Sequence, residues 1–174
     1  MNLTVMIANA NTHLITTITH LLRERGQTIA VAESCTGGLV SVALTQLAGS
    51  SAWVRCNWVT YANEAKTQQL GVPAQLIEDD GAVSESVALA MAYGALSRAE
   101  THWAMATTGI AGPDGGSAEK PVGTCWVAVV STTGARPVTQ CLQGNSEASR
   151  DELRQWFTQQ ALGLLLQALQ QQPL

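Results

Sequence analysis

Three stretches of this 174-residue chain carry residue types that do chemistry. In Ala32-Glu33-Ser34-Cys35-Thr36-Gly37-Gly38 a hydroxyl and a thiol stand side by side ahead of two glycines. Upstream, Thr28–Ala32 is β-branched and apolar; downstream, Leu39, Val40, Val42, Ala43, Leu44 and Leu47 recur at helical spacing up to Gly49. The polar residues thus fall on a strand-to-helix turn. The first amides of a helix are unpaired and carry partial positive charge, so such a turn suits an anion or a developing oxyanion. Gly37 and Gly38 let backbone approach whatever binds there. The same residues also suit a plain N-cap followed by a glycine bend.

The second stretch is Thr60-Tyr61-Ala62-Asn63-Glu64-Ala65-Lys66. Were all of it helical, Tyr61 and Lys66 would point apart, since five residues turn a helix through about 500 degrees. With Tyr61 ending a strand and Lys66 on the first helical turn, both can face one cleft. Two readings stand side by side: a core-edge tyrosine with a solvated lysine, or a lysine base whose pKa burial lowers. The third stretch, Gly109 to Ser117, packs four glycines, a proline and Asp114 together. It is either a common surface loop or a rigid backbone cup whose amides face a phosphate or an oxyanion.

These stretches need a frame. Apolar spacing predicts helices over Ala10–Arg25, Asn63–Leu70, Ala74–Asp79, Ser84–Arg98 and Glu147–Leu169, besides the one from Leu39. Strands are expected at Thr28–Ala32, Trp53–Tyr61, Thr101–Thr107 and Val122–Thr132, with Pro137–Leu142 as an antiparallel edge joined through Thr133-Gly134. Alternating strands and helices define an α/β fold: a three-layer α/β/α sandwich on a mixed, mostly parallel sheet with one antiparallel edge strand. Ligands of such folds bind at the carboxyl ends of strands, where all three polar stretches fall. The tail Gln170–Leu174 is expected to fray.

Composition removes several function classes. With 46% hydrophobic and 13% charged residues and a net charge of −4, the chain reads as one compact domain over residues 1–174 without a basic field for nucleic acid. Cys35, Cys56, Cys125 and Cys141 show no CxxC spacing, and His13, His20 and His102 are scattered, so no metal site is expected. The cysteines read as reduced thiols of a cytoplasmic protein. The start lacks a basic leader region, and no stretch approaches the length of a membrane span. Neither GxGxxG nor GxxxxGK[ST] occurs, which leaves no dinucleotide or P-loop signature and no cofactor. No histidine is well placed for a Ser-His-Asp triad; a hydroxyl nucleophile served by lysine and tyrosine remains.

Taken in order, Ala32–Gly38, Thr60–Lys66 and Thr108-Gly109-Ile110-Ala111-Gly112-Pro113-Asp114-Gly115-Gly116 resemble the CinA C-terminal domain family. Gly81-Ala82-Val83-Ser84 and Lys120-Pro121-Val122-Gly123-Thr124 extend the likeness over nearly the whole chain. The resemblance implies hydrolysis of the carboxamide of nicotinamide mononucleotide to nicotinate mononucleotide and ammonia. It makes Ser34 the nucleophile, Lys66 its base and Tyr61 the residue that relays or orients the proton. Thr36, Gly37, Gly38, Gly109, Ile110, Ala111 and Gly112 are the expected oxyanion and substrate contacts. Arg150 matches a family arginine and is a further expected substrate contact. The partner is thus a small pyridine nucleotide, and family members are often dimers, so a homo-oligomer is expected.

Departures from the pattern keep a second reading in play. The family usually has Ser where Ala62 stands, glycine near Cys56-Asn57, and arginine where Ser146 stands. Losing one cation weakens a phosphate site, which is the case for a non-catalytic relative that binds a nucleotide or a protein partner. A third reading, chemistry at Cys35, rests on its adjacency to Ser34.

Overall fold

The computed structural model describes the backbone of residues 3–134 and 136–172, and the side chains within them from Thr12 onward. Helices α1 (Leu3–Glu24), α2 (Leu39–Thr45), α3 (Asn63–Leu70), α4 (Ala74–Asp80), α5 (Glu85–Ala99) and α6 (Arg150–Gln170) surround a five-stranded sheet. Its strands are β1 (Ile29–Glu33), β2 (Val54–Val59), β3 (Trp103–Gly109), β4 (Thr124–Ser131) and β5 (Val138–Gln143), in the order β2-β1-β3-β4-β5. β1 runs parallel to both β2 and β3, while β4 is antiparallel to β3 and β5. The expected α/β architecture is present. The reversed strand is β4, one place in from the edge, and β5 pairs with it antiparallel at the edge.

Two unlike faces of the sheet explain the layers. Ile29, Val31, Trp103, Met105, Val127 and Val129 point to one side and pack with α1, α2 and α6. Their alternate neighbours Ala30, Ala32, Ala104, Ala106 and Ala128 face α5 through Val87, Ala88, Met91, Ala92 and Ala95. Side chains alternate along a strand, so one face is built for bulk and the other for close approach. Gly94 brings α5 still closer to α3: a Cβ there would lie 2.0 Å from the Leu70 carbonyl oxygen.

The differences from expectation lie at element ends. α1 begins at Leu3, ahead of Ala10, and α2 stops at Thr45, ahead of Leu47. α6 starts at Arg150 rather than Glu147, because Ser149 and Glu152 form a capping box that fixes the first turn. Ser84 caps α5 as anticipated, accepting from the Val87 amide. Helix continues into the expected frayed tail as far as Gln170; Gln171 and Gln172 follow, and the last two tail positions lie outside the described residues.

Registration of the parallel strands sets the stage for chemistry. Glu33 is level with Val59 on one side and Thr107 on the other. The Ser34 amide donates to the Thr107 carbonyl at 3.0 Å, and the Thr60 amide to the Glu33 carbonyl at 2.8 Å. The three polar stretches therefore leave the sheet side by side at one end.

Candidate active site

Beyond the strand ends lies a cavity of about 270 Å³. Ser34, Tyr61, Lys66, Gly109, Ile110, Ala111, Gly112 and Arg150, all expected at the site, line it together with Cys35 and Asp114. Asn63, Ala82, Val83, Thr108 and Gly115 complete the wall. Of these, Ala82 is held by Thr108, whose hydroxyl donates to the Ala82 carbonyl at 2.7 Å.

The heart of the site is an amine against a hydroxyl. Lys66 is only 1% exposed, and its Nζ lies 3.3 Å from Ser34 Oγ, 3.1 Å from the Thr60 carbonyl and 3.2 Å from the Tyr61 carbonyl. Burial pushes the amine below its ordinary pKa of 10.5, against the opposing pull of Cys35 and Glu64. The two carbonyls decide its orientation. A neutral amine has two N–H bonds and one lone pair; once both N–H groups donate to Thr60 and Tyr61, the lone pair is left for the Ser34 O–H. That is the geometry of a base poised on a hydroxyl.

Tyr61 and Arg150 form the mouth. The Tyr61 ring is exposed, and its hydroxyl is hydrogen-bonded to Arg150 rather than to Lys66 or Ser34. Arg150 also donates to the Gly112 carbonyl at 2.7 Å, tying α6 to the glycine loop. What Tyr61 brings to the amine is its main-chain carbonyl. Gly112 itself sits at φ +71°, and a Cβ there would lie 2.6 Å from Val122 Cγ1, so glycine is required twice over.

Thr36, Gly37 and Gly38, expected as substrate contacts, are not part of the cavity wall; Glu33 claims Thr36 and Gly38. This fully buried carboxylate accepts from Thr36 Oγ1 at 2.6 Å, the Gly38 amide at 2.9 Å and the Val40 amide at 3.2 Å. It also accepts from the Ser41 amide at 2.8 Å and the Ser41 hydroxyl at 2.5 Å. The turn does hold an anion at a helix start, and the anion is the protein's own. Gly37 donates to the Ser34 carbonyl, and Arg154 donates to the Thr36 carbonyl at 3.0 Å from the far side. Sequence reasoning gave Glu33 no role; the signal was a carboxylate followed by hydroxyl and glycine positions at the opening of a helix.

Other expectations concern residues away from the cavity. His102 is structural, its Nδ1 lying 3.1 Å from the Thr28 amide. Ala62 is the N-cap of α3 without a side-chain cap bond, and neither it nor the exposed Ser146 lines the cavity. All four cysteines are free. Among the described residues, no cluster of three or more His, Cys, Asp or Glu could hold a metal, and no helix is long and apolar enough to cross a membrane.

A mixed α/β sheet with a serine–lysine pair at its strand ends meets its relatives here. The profile of the CinA C-terminal domain matches residues 11–169, and the chain belongs to that family. It is 47% identical over 152 residues to the nicotinamide-nucleotide amidohydrolase PncC of Escherichia coli K12, covering 87% of each chain. A CinA-like protein of Geobacter sulfurreducens is 48% identical over 146 residues, 84% of this chain. This chain spans only 35% of that longer relative. Among solved structures, the competence/damage inducible protein CihA of Agrobacterium tumefaciens superposes with a TM-score of 0.84 at 42% identity, covering 91% of this chain and 96% of that one. ComA of Klebsiella pneumoniae gives 0.87 at 30% identity, covering 94% and 99%.

Proposed function

We propose that this protein is an amidohydrolase that removes ammonia from nicotinamide mononucleotide, leaving nicotinate mononucleotide. The observation that carries the reading is the buried Lys66 amine 3.3 Å from Ser34 Oγ in the cavity wall. Similarity to PncC supplies the substrate class.

In the first step neutral Lys66 accepts the Ser34 hydroxyl proton as Oγ attacks the carboxamide carbon. The tetrahedral oxyanion takes hydrogen bonds from main-chain amides of the wall; those of Cys35, Ala111 and Gly112 have no partner among the described residues. Lys66 then returns its proton to the departing nitrogen, so ammonia leaves and an acyl ester on Ser34 remains. Water, deprotonated by the same amine, hydrolyses that ester and frees Ser34. Tyr61 and Arg150 hold the mouth, with Arg150 facing the nucleotide phosphate. The reading extends to a homodimer in the cytoplasm, folded as one domain; four free thiols agree with that compartment.

Purified protein incubated with nicotinamide mononucleotide releases ammonia, and Ser34→Ala lowers the rate by at least about 10²-fold, the scale on which a lost nucleophile registers. Equal rates for the two proteins would overturn the reading. The position of Ala62 and Ser146 outside the cavity wall weighs against the non-catalytic alternative.

A further inference from the structure

Two thiols lie directly behind the Ser34 wall. Cys35 follows Ser34 and lines the cavity, Cys125 sits on β4, and their sulfurs are 3.6 Å apart. Both are buried and free. The approach is built into the sheet: Gly109 is the register partner of Cys125, and a Cβ at Gly109 would stand 2.8 Å from Cys125 Cβ. Any side chain at position 109 would push this cysteine aside. The hydrolysis above uses neither thiol.

We propose that Cys35 and Cys125 form a redox-sensitive pair, which a peroxide converts to a disulfide that disarms Ser34. Burial pushes the Cys125 thiol up, so Cys35, which opens on the cavity, meets the oxidant first. Its sulfur attacks the peroxide O–O bond, with the thiol proton going to the departing oxygen. A sulfenic acid forms and the peroxide leaves as alcohol or water. Cys125 sulfur then displaces the sulfenic oxygen; its own proton leaves with that oxygen as water. Two thiols lose two electrons in total and one peroxide gains them.

Closing the bond requires a sulfur–sulfur distance of about 2.05 Å, so the sulfurs must move together by roughly 1.5 Å from their present 3.6 Å. Ser34 is covalently attached to the residue that moves, and its contact with Lys66 is already 3.3 Å. A displacement of about 1 Å at a reacting group costs about 10²-fold in rate.

The loss of activity rests on the amidase reading; formation of the bond does not. Reduced protein is treated with hydrogen peroxide, then followed by intact mass, non-reducing peptide mapping and ammonia release. The expected result is a Cys35–Cys125 cross-link, a loss of two hydrogens, and at least a tenfold fall in activity that dithiothreitol reverses. Cys125→Ala keeps basal activity and loses the reversible inactivation; Cys125→Ser serves if the alanine variant does not fold. No such cross-link, a cross-linked protein of full activity, or equal reversible inactivation of Cys125→Ala would each overturn the proposal. Should the reduced protein release no ammonia, the amidase reading fails by itself. Mapping then decides the pair, with calorimetric affinity for nicotinamide mononucleotide as the functional readout.

Discussion

Replacing Lys66 by methionine tests the central pair most directly. Methionine keeps an unbranched side chain of similar length in the buried channel and deletes only the amine. Three contacts disappear: Ser34 Oγ at 3.3 Å, the Thr60 carbonyl at 3.1 Å and the Tyr61 carbonyl at 3.2 Å. For the reaction, the serine loses its base, a loss of about 10²- to 10⁴-fold in kcat, or about 2.7–5.4 kcal/mol in barrier. For the fold, two buried carbonyls lose a donor at about 1–3 kcal/mol each, while the desolvation of the amine is relieved, so the two effects on stability oppose each other. The pH dependence has a definite sign. Burial lowers the folded-state pKa of Lys66 below 10.5, so between the two values the unfolded chain binds more protons. Stability conferred at this residue therefore rises with pH across that window, and the penalty is fully present below the folded pKa. Activity carried by the neutral amine rises with pH in the same sense, through a midpoint below 10.5. Ammonia release from about pH 6 to about pH 10 and thermal unfolding of both proteins measure these effects. A Lys66→Met protein within tenfold of the parent kcat, or a parent rate that falls as pH rises through neutrality, would refute the reasoning.

Glu33→Gln removes the buried charge that gathers the start of α2 and turns one acceptor oxygen into a donor facing amides. We expect a loss of about 3 kcal/mol in stability by denaturant titration, with a fall in kcat because the Ser34 turn loosens; unchanged stability would show the carboxylate to be incidental. Arg150→Met, on an exposed residue, is expected to leave thermal stability within about 1 kcal/mol. It should raise KM for nicotinamide mononucleotide by about tenfold or more, and barely affect the phosphate-free riboside. An equal effect on both substrates would remove the phosphate contact from Arg150.

Much of the arrangement was legible in the chain because local signals agree with one another. Strand-like runs end in polar residues at Ser34, Tyr61 and Gly109, and parallel packing of strands carries such ends to one side of a sheet. Element ends were less legible: α6 starts where a capping box, not hydrophobic period, dictates.

Tertiary structure alone decided which groups answer one another. The family resemblance joined Ser34, Tyr61 and Lys66 in one site; only the fold turned the Tyr61 hydroxyl to Arg150 and its carbonyl to Lys66. The Gly38 amide and the helix start that follows it looked open to substrate, and Glu33, a few residues back in the chain, closes over them. Cys35 and Cys125 lie 90 residues apart and share no motif; they meet because β1 and β4 flank β3 and Gly109 carries no side chain. A periodic pattern reports which face of its own element a side chain occupies. The partner it finds there depends on strand order and on the direction of a few bonds, which no single segment contains.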